Sequence, residues 1–301
     1  MIDSAKMLKG VAIGFLSYAL FSSADACIKA LGGHMSIFEI LFLVTLATFS
    51  TLGFAKPSGE PWADLFHIHR PGLVLLRAIG GTMAGLFGVY AFTTLPFAEA
   101  YSLLFLMPAF ATILSIPILG EEVGWRRWLA IAVGFVGVLL VVRPGFRELH
   151  LGHLAAAGAA VFAAISMIVL RMIGQTEKRI TVLTVVYLTA LIVNAPMMIA
   201  DFTVPTSRDL GLVALAGLVG GFGQITMMIA TQLAPANRVA PGQYSQIVWA
   251  VIFGAAFFGE IPDGIAFVGM ALVAGSGLFT FFREEQLHHW SQRMLLMLNR
   301  P

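Results

Sequence analysis

The sequence predicts an all-α, polytopic membrane protein with ten transmembrane helices, arranged as two inverted five-helix repeats (5+5) around a central cavity. Composition, hydropathy pattern and an internal repeat support this fold class. Of 301 residues, 58% are hydrophobic and 11% are charged. In soluble domains about 45–50% of the residues are apolar and about 25% are charged. A water-soluble fold could not bury so much apolar surface, so a lipid bilayer is the expected solvent.

Ten apolar runs are long enough to cross a hydrocarbon core, which takes about 20 residues. They cover roughly 10–31, 36–55, 72–92, 97–119, 126–142, 152–174, 180–200, 210–232, 239–258 and 263–282. The polar connection at 56–71 is typical of a surface loop. The first run also resembles a signal peptide with an Ala24-Asp25-Ala26 cleavage site. The acidic Asp25 and the repeat described below argue against that alternative.

The distribution of Lys and Arg predicts the orientation, because cytoplasmic loops carry the excess of positive charge. With the N-terminus in the cytoplasm, thirteen basic residues lie inside and four lie outside. The four outside are Lys29, Arg143, Arg147 and Arg208. We therefore expect an inner (plasma) membrane protein with both termini in the cytoplasm.

The segment after the last run, 283–301, is too short and too polar to span a membrane. Leu287, Trp290, Met294 and Leu298 recur at helical spacing, which predicts a cytoplasmic amphipathic helix on the membrane surface. A frayed tail is an equally compatible interpretation.

An internal repeat relates the two halves of the chain. At an offset of 139, residues 72–121 match 211–260, and at an offset of 142 the first run matches the sixth. The matched pairs are Gly81 with Gly220, Pro96 with Pro235, Gly120-Glu121 with Gly259-Glu260, Gly10 with Gly152, Lys29 with Arg171 and Gly32 with Gly174. Because each unit holds an odd number of spans, the second unit is inverted, an arrangement typical of secondary transporters. Duplication kept only for packing is the alternative.

The paired Pro and Gly-Glu positions resemble the drug/metabolite transporter superfamily, in particular its EamA-type ten-helix transporters. Here they are Pro96 with Gly120-Glu121-Glu122, and Pro235 with Gly259-Glu260. The resemblance implies EamA-type repeats at 1–145 and 150–282, a basket-shaped carrier, and a fifth helix of each unit at the periphery. Within the superfamily the chain looks most similar to the YddG-type aromatic amino-acid exporters. It departs from the usual Trp-Gly-x-x-Phe stretch of the first helix, where it has Phe21-Ser22-Ser23-Ala24-Asp25.

Charged residues inside spans are candidates for gating or ion coupling, because they are costly there. Tyr18, Ser22, Asp25 and Lys29 form one polar stripe on the first helix, and Asp25 can partly neutralise Lys29 one turn away. Glu99 is the third gate or coupling candidate. Snorkelling to water is the alternative for Asp25 and Lys29, and a favourable helix-dipole position is the alternative for Glu99. Arg77, near the start of the third span, is expected to snorkel.

Polar and aromatic side chains in the fourth and ninth spans predict a lined substrate cavity. Buried amides need partners, and neutral donors beside aromatic faces suit a zwitterionic or amphipathic solute, although hydrogen bonds between helices would also explain them. The proposed cavity residues are Tyr18, Ser22, Gly81, Tyr101, Phe105, Met107, Gln224, Gln243, Tyr244, Gln246 and Trp249. Pro108 is a candidate hinge or a packing kink, and its repeat partner Ile247 predicts a bend in one half only.

These observations favour an inner-membrane secondary transporter that moves small amphipathic metabolites by alternating access. Amino-acid export, including aromatic and large apolar amino acids, is the first interpretation. A carrier of a nucleoside-like metabolite, a vitamin or drugs is the second. A membrane-embedded enzyme or sensor is a distant third, because no nucleophile, zincin or phosphate-loop motif is present. We expect no enzymatic activity, no cofactor, no metal and no nucleic-acid partner, only a small-molecule substrate and membrane lipid. The solute, the direction of transport, its coupling and the oligomeric state stay open.

Overall fold

A computed structural model describes residues 4–55, 67–144, 148–174 and 176–279. The regular elements in these ranges are all helices, as expected where no water can satisfy backbone groups. They are α1 (Ser4–Leu31), α2 (Ile37–Ser50), α3 (Leu52–Ala55), α4 (Pro71–Thr94), α5 (Phe97–Leu104), α6 (Met107–Leu119), α7 (Trp125–Val142), α8 (Leu151–Ile173), α9 (Arg179–Ala200), α10 (Ser207–Leu233), α11 (Ala236–Val239), a 3-10 turn (Ala240–Tyr244), α12 (Ser245–Phe258) and α13 (Gly264–Phe279). The predicted tail helix at 283–301 lies outside the described residues.

Within these ranges, eight helical segments are long and apolar enough to cross a membrane. They correspond to the first eight predicted spans. The predicted ninth span is divided among α11, the 3-10 turn and α12, and the predicted tenth corresponds to α13, a shorter apolar helix. The chain is therefore a helical, multi-pass membrane protein.

Local sequence signals determine where many of these helices begin and end. The Ser36 hydroxyl accepts a hydrogen bond from Glu39 N at the start of α2, and Thr206 and Asp209 form a capping box at the start of α10. Gly120 and Gly259 end α6 and α12 in the left-handed conformation, at φ 67° and 66°. A side chain is strained there, so both matched Gly-Glu pairs begin with the residue that the turn requires.

The fourth and ninth spans are both interrupted, at equivalent positions. Residues Phe105 and Leu106 separate α5 from α6, and the 3-10 turn ends at Tyr244, the repeat partner of Phe105. The prediction of a bend in one half only was therefore wrong. Pro108 is the second residue of α6, where its missing N–H breaks no helical bond. Pro241 is likewise the second residue of the corresponding 3-10 turn.

The long helices pack in pairs that cross between the two halves of the sequence. Helix α1 packs along α10, and α4 packs along α8. Helix α2 contacts both α9 and α10, while α5 contacts α12. Gly152 at the start of α8 approaches Leu95, and Lys29 at the end of α1 bonds to the same residue. The start of α8 therefore lies at the end of the bundle where α1 finishes, and α8 runs antiparallel to α1.

Candidate functional site

Two ends of the bundle can be distinguished by their basic residues. We call the end where α1 finishes the Lys29 end, and the opposite end, where α8 finishes, the Arg171 end. A cavity of about 580 Å³ extends inward from the Arg171 end, between α6, α7, α8, the 3-10 turn and α13. Its volume lies within the range of small-molecule sites, which is about 300–1,000 Å³.

Aromatic and amide side chains line the inner part of this cavity. Five residues proposed from the sequence are there, namely Phe105, Met107, Pro108, Gln243 and Tyr244. The rings of Phe105 and Tyr244 stack with centroids 5.2 Å apart and an angle of 21° between their planes. Charged side chains of Glu121, Glu122, Arg127 and Arg171 lie at its mouth. The cavity therefore combines an apolar floor with a charged entrance.

A buried polar cluster lies between α1, α5 and α12, next to this floor. The Tyr101 hydroxyl lies 2.5 Å from Asp25 Oδ2, 3.2 Å from Ser22 Oγ and 3.4 Å from Gln246 Nε2. A phenol has one proton to donate, so it donates to the carboxylate and accepts from the hydroxyl and the amide. Four residues proposed from three distant parts of the sequence thus meet at one oxygen atom.

Lys29 does not pair with Asp25, contrary to the sequence interpretation. Its Nζ lies 2.9 Å from Glu260 Oε1, donates to Leu95 O at 2.6 Å, and lies 5.1 Å above the Phe258 ring. Because Lys29 is drawn toward α4 and α12, Asp25 has no ion-pair partner among the residues that the structure describes.

Glu99 lies in the first turn of α5, as the helix-dipole alternative requires, and it also has a partner that the sequence did not reveal. His153 Nε2 lies 2.9 Å from Glu99 Oε1, and both side chains are about 10% exposed or less. His153 lies 54 residues away in sequence, in the first turn of α8. The roles of Asp25, Lys29 and Glu99 as gate or coupling residues remain predictions.

A second polar cluster surrounds Arg77, which the sequence suggested would snorkel to water. The half-buried guanidinium instead donates from Nη1 to Ser166 Oγ, and Ser166 donates to Arg77 O at 3.0 Å. Tyr187 lies near this guanidinium and near the Gln224 side chain. Gly81 leaves room for the Arg77 side chain beside Ser166. Gln224 and Gly81 thus belong to this cluster rather than to the cavity.

Glu121 at the mouth of the cavity forms an ion pair with Arg171. The hydrogen bond from Arg171 lowers the pKa of the Glu121 carboxyl below its ordinary value, since it stabilises the charged form. Glu260, the repeat partner of Glu121, also accepts a hydrogen bond from Phe97 N at 2.7 Å. Both glutamates follow a left-handed glycine at the end of a helix, and each forms an ion pair with a basic side chain, Arg171 or Lys29.

Two proposed cavity residues lie elsewhere. Trp249 stacks on Phe253, with ring centroids 5.6 Å apart, and does not line the described cavity. Tyr18 lies beside Gly242 in the 3-10 turn, with its ring edge against Phe21. No group of three potential metal ligands occurs in the described part of the chain.

Known proteins similar to this chain are transporters. The EamA-like transporter family matches residues 8–143 and again 150–282. An S-adenosylmethionine uptake transporter of Rickettsia prowazekii is 25% identical over 288 residues, covering 95% of this chain and 97% of that protein. A riboflavin transporter of Rhizobium johnstonii is 32% identical over 253 residues, covering 81% and 78%. The pseudopaline exporter CntI of Pseudomonas aeruginosa is 28% identical over 270 residues, covering 88% and 93%.

A solved crystal structure shares the fold, with a TM-score of 0.67, 19% identity and coverage of 93% of this chain and 98% of the other. A bundle of apolar helices around a cavity with charged and aromatic walls is the architecture of a multi-pass membrane protein with a small-molecule site, and the relatives of this chain named above are transporters. Because the family matches most of the chain in two consecutive copies, this protein belongs to the EamA-like transporter family.

Proposed function

We propose that this protein is a secondary carrier of the inner membrane that moves small zwitterionic, amphipathic metabolites by alternating access. Amino acids, including aromatic and large apolar ones, are the first candidates, and export is the first candidate direction. The observation that carries the proposal is the site at the junction of the two halves. Phe105 stacks on its repeat partner Tyr244 at the cavity floor, and Tyr101 meets Gln246 beside it.

Packing supports two inverted five-helix units at 1–145 and 150–282. The repeat relates α1 to α8 and α4 to α10. Exchange of the two halves therefore converts the contact of α1 with α10 into the contact of α8 with α4, and both contacts are present. Gly10 approaches Leu233 and Ala234, and its partner Gly152 approaches Thr94 and Leu95, which are the partners of those two residues. Two such units can exchange conformations and expose one midplane site to each side in turn.

Charge supports a zwitterionic solute. Asp25 and Arg77 carry opposite charges on neighbouring helices, α1 and α4. Neither forms an ion pair with any residue in the described ranges; Asp25 bonds to Tyr101 and Arg77 bonds to Ser166. Uncompensated charge inside a membrane protein is costly and marks substrate paths. Asp25 can bind the ammonium group of an amino acid, and Arg77 can bind its carboxylate at another point of its path. The two side chains do not hold one head group at the same time, because Arg77 lies about 27 Å along α4 from Leu95, whereas Asp25 lies one turn from Lys29, which bonds to Leu95.

The relatives support the same class of solute. S-adenosylmethionine, named for the uptake transporter of Rickettsia prowazekii, carries an amino-acid head group and a planar base. Riboflavin, named for another relative, is planar without such a head group, so a vitamin carrier is the second candidate. The stacked pair at the cavity floor would accept either ring system.

The charge distribution supports the orientation. The proposed inside holds thirteen basic residues and the proposed outside four. Both termini then face the cytoplasm, the Arg171 end opens inward, and the Lys29 end faces out.

Purified protein in liposomes tests the function. Vesicles preloaded with labelled phenylalanine, leucine, S-adenosylmethionine or riboflavin are diluted, and the retained label is followed against protein-free vesicles. Faster release of the zwitterionic solutes than of riboflavin is the expected result. Arg77→Gln should slow release of the zwitterions and leave release of any uncharged solute unchanged. Release of riboflavin alone would favour the vitamin carrier, and release equal to protein-free vesicles for all four would contradict the proposal.

A further inference from the structure

Two ion pairs at opposite ends of the bundle occupy equivalent positions in the two halves. Lys29 and Arg171 are 142 residues apart, and Glu260 and Glu121 are 139 apart, which are the two offsets of the repeat. Lys29 bonds to Glu260 and Arg171 bonds to Glu121. Each pair joins the first helix of one unit to the end of the fourth span of the other.

The pair at the Lys29 end is closed. Lys29 Nζ is bonded to Glu260 and Leu95 O and lies 3.5 Å from Phe92 O, and its side chain is only 10% exposed. Glu260 in turn holds Phe97 N, the first amide of α5. These contacts satisfy carbonyls at the end of α4, which have no partner within that helix. Three helices, α1, α4 and α12, therefore meet at one ammonium group, and Glu260 links a fourth, α5, to them.

The pair at the Arg171 end is open. The Arg171 side chain is 47% exposed on the wall of the cavity, and Glu121 is its one bonding partner in the described part of the chain. The carbonyls equivalent to those of Leu95 and Phe92 belong to Ala234 and Thr231. Arg171 makes no hydrogen bond to either of these described residues.

The packing around equivalent glycines is also tighter at the Lys29 end than at the Arg171 end. A Cβ on Gly32 would lie 2.9 Å from Thr93 Cβ, so α1 and α4 touch at the Lys29 end. The equivalent pair is Gly174 and Gln232. A Cβ on Gly174 would meet only the carbonyl of Leu170, from its own helix, among the described atoms. Gln232 is exposed.

We propose that the two ion pairs are alternating latches of the carrier. In the conformation opposite to this one, Arg171 takes the carbonyls of Thr231 and Ala234, and Glu121 accepts from the first amide of α11. Lys29 then releases Leu95 and Phe92, and the Lys29 end opens. The inference rests on the proposed function, since a latch at each end has a role only if the site is reached from both sides.

Disulfide cross-linking tests the latches without a solute. In a Cys27→Ser background, one double variant carries Gly32→Cys and Thr93→Cys, and the other carries Gly174→Cys and Gln232→Cys. A Cβ on Gly32 would lie 2.9 Å from Thr93 Cβ, somewhat nearer than the roughly 3.5–4.5 Å of a disulfide, so a small shift of α1 from α4 allows the first pair to bond in this conformation. The second pair becomes close only in the opposite one. Lys29→Met should lower the first cross-link yield several-fold and raise the second. Arg171→Met should lower the second and leave the first high.

Matched variants separate latching from general loss of charge. Arg143→Met removes another ion pair of the Lys29 end, between Arg143 and Asp263, and should leave both yields unchanged. Lys29→Arg keeps the charge and should resemble the parent. Equal yields in Lys29→Met and the parent would overturn the proposal, as would absence of the Gly174–Gln232 cross-link in every background. Shifted yields without flux of any tested solute would contradict the proposed solutes while supporting the latches.

Discussion

The Tyr101 hydroxyl organises the centre of the molecule. It is hydrogen-bonded to three side chains from α1 and α12, while its ring packs among Phe92, Phe97 and Phe105. The ring therefore belongs to the apolar core, and the oxygen atom belongs to the polar cluster. The hydrogen bonds of the hydroxyl can therefore be removed without the packing of the ring, by replacing Tyr101 with Phe.

Replacement of Tyr101 by Phe should reduce transport and stability together. The ring packing is kept, but the Asp25 carboxylate loses its donor, and an unsatisfied buried partner costs about 1–3 kcal/mol. We expect a lower Tm in detergent and roughly a severalfold loss of flux, because Asp25 loses the donor that positions its carboxylate beside the cavity floor. Tyr90→Phe is the control. Equal loss in both variants would remove Tyr101 from the site.

Glu121 should contribute to the pH dependence of stability. Its pKa is depressed in the folded protein from an ordinary value of 4.5, so its contribution is complete above that value and is lost as pH falls through the lower folded pKa. The difference in Tm between the parent and Glu121→Gln should therefore be constant near neutral pH and shrink in acid. A difference that grows in acid would contradict the stabilising role of the Arg171 pair.

Residue contacts show where sequence reasoning succeeded and where it stopped. Ser22, Asp25, Tyr101 and Gln246 could be proposed because each is a polar group in an apolar helix, and such groups need partners. The partner of Lys29 could not be inferred. Local spacing favours Asp25 one turn away, whereas the observed partner, Glu260, comes near only after α12 packs against α1.

Among the helices, hydropathy predicted where each membrane span lies, but it did not predict whether a span is one continuous helix. The break before α6 follows no change in hydrophobicity, since apolar residues continue through Leu103–Phe110. The second break has a local signal, Pro241-Gly242, which lies inside the run predicted as one continuous span. Proline at the second position of a new helix is compatible with that helix, so a proline inside an apolar run can indicate a restart rather than a kink.

Helix α13 depends on glycine at the point where it crosses Tyr244. A Cβ on Gly277 would overlap the Tyr244 hydroxyl and ring, whereas a Cβ on Gly275 of the same helix would meet nothing. Gly277→Ala should thus cost about 1–3 kcal/mol through overpacking and displace the aromatic floor of the cavity. Gly275→Ala should be neutral or slightly stabilising.

Thermal denaturation and solute release, measured on both variants, test the role of this crossing. The Tm of Gly277→Ala should fall and its release rate should drop, while Gly275→Ala should match the parent in both measurements. Identical behaviour of the two alanine variants would show that α13 does not support the cavity floor.

At the scale of the whole molecule, the internal repeat carried most of the usable information. The two offsets found in the sequence also relate Phe105 to Tyr244 and the glycine contacts of α1 to those of α8. A sequence repeat cannot show which end is open, because both halves contain the same signals. That asymmetry appears only in contacts, such as the carbonyl bonds of Lys29 that Arg171 lacks.

The unequal exposure of the two ion pairs has a consequence for ionic conditions. Salt screens exposed charges over a distance of about 8–10 Å at physiological ionic strength, and it screens buried pairs much less. The two glutamates are about equally exposed, at 30% for Glu121 and 29% for Glu260, but the Arg171 side chain is 47% exposed and the Lys29 side chain only 10%. Solvent ions therefore reach Arg171 more easily than Lys29, which lies under Phe258 and the end of α4. A higher salt concentration on the Arg171 side should therefore weaken the pair of Arg171 and Glu121 and leave the pair of Lys29 and Glu260 largely unchanged. Salt on that side alone should then shift the populations of the two conformations, even in the absence of solute.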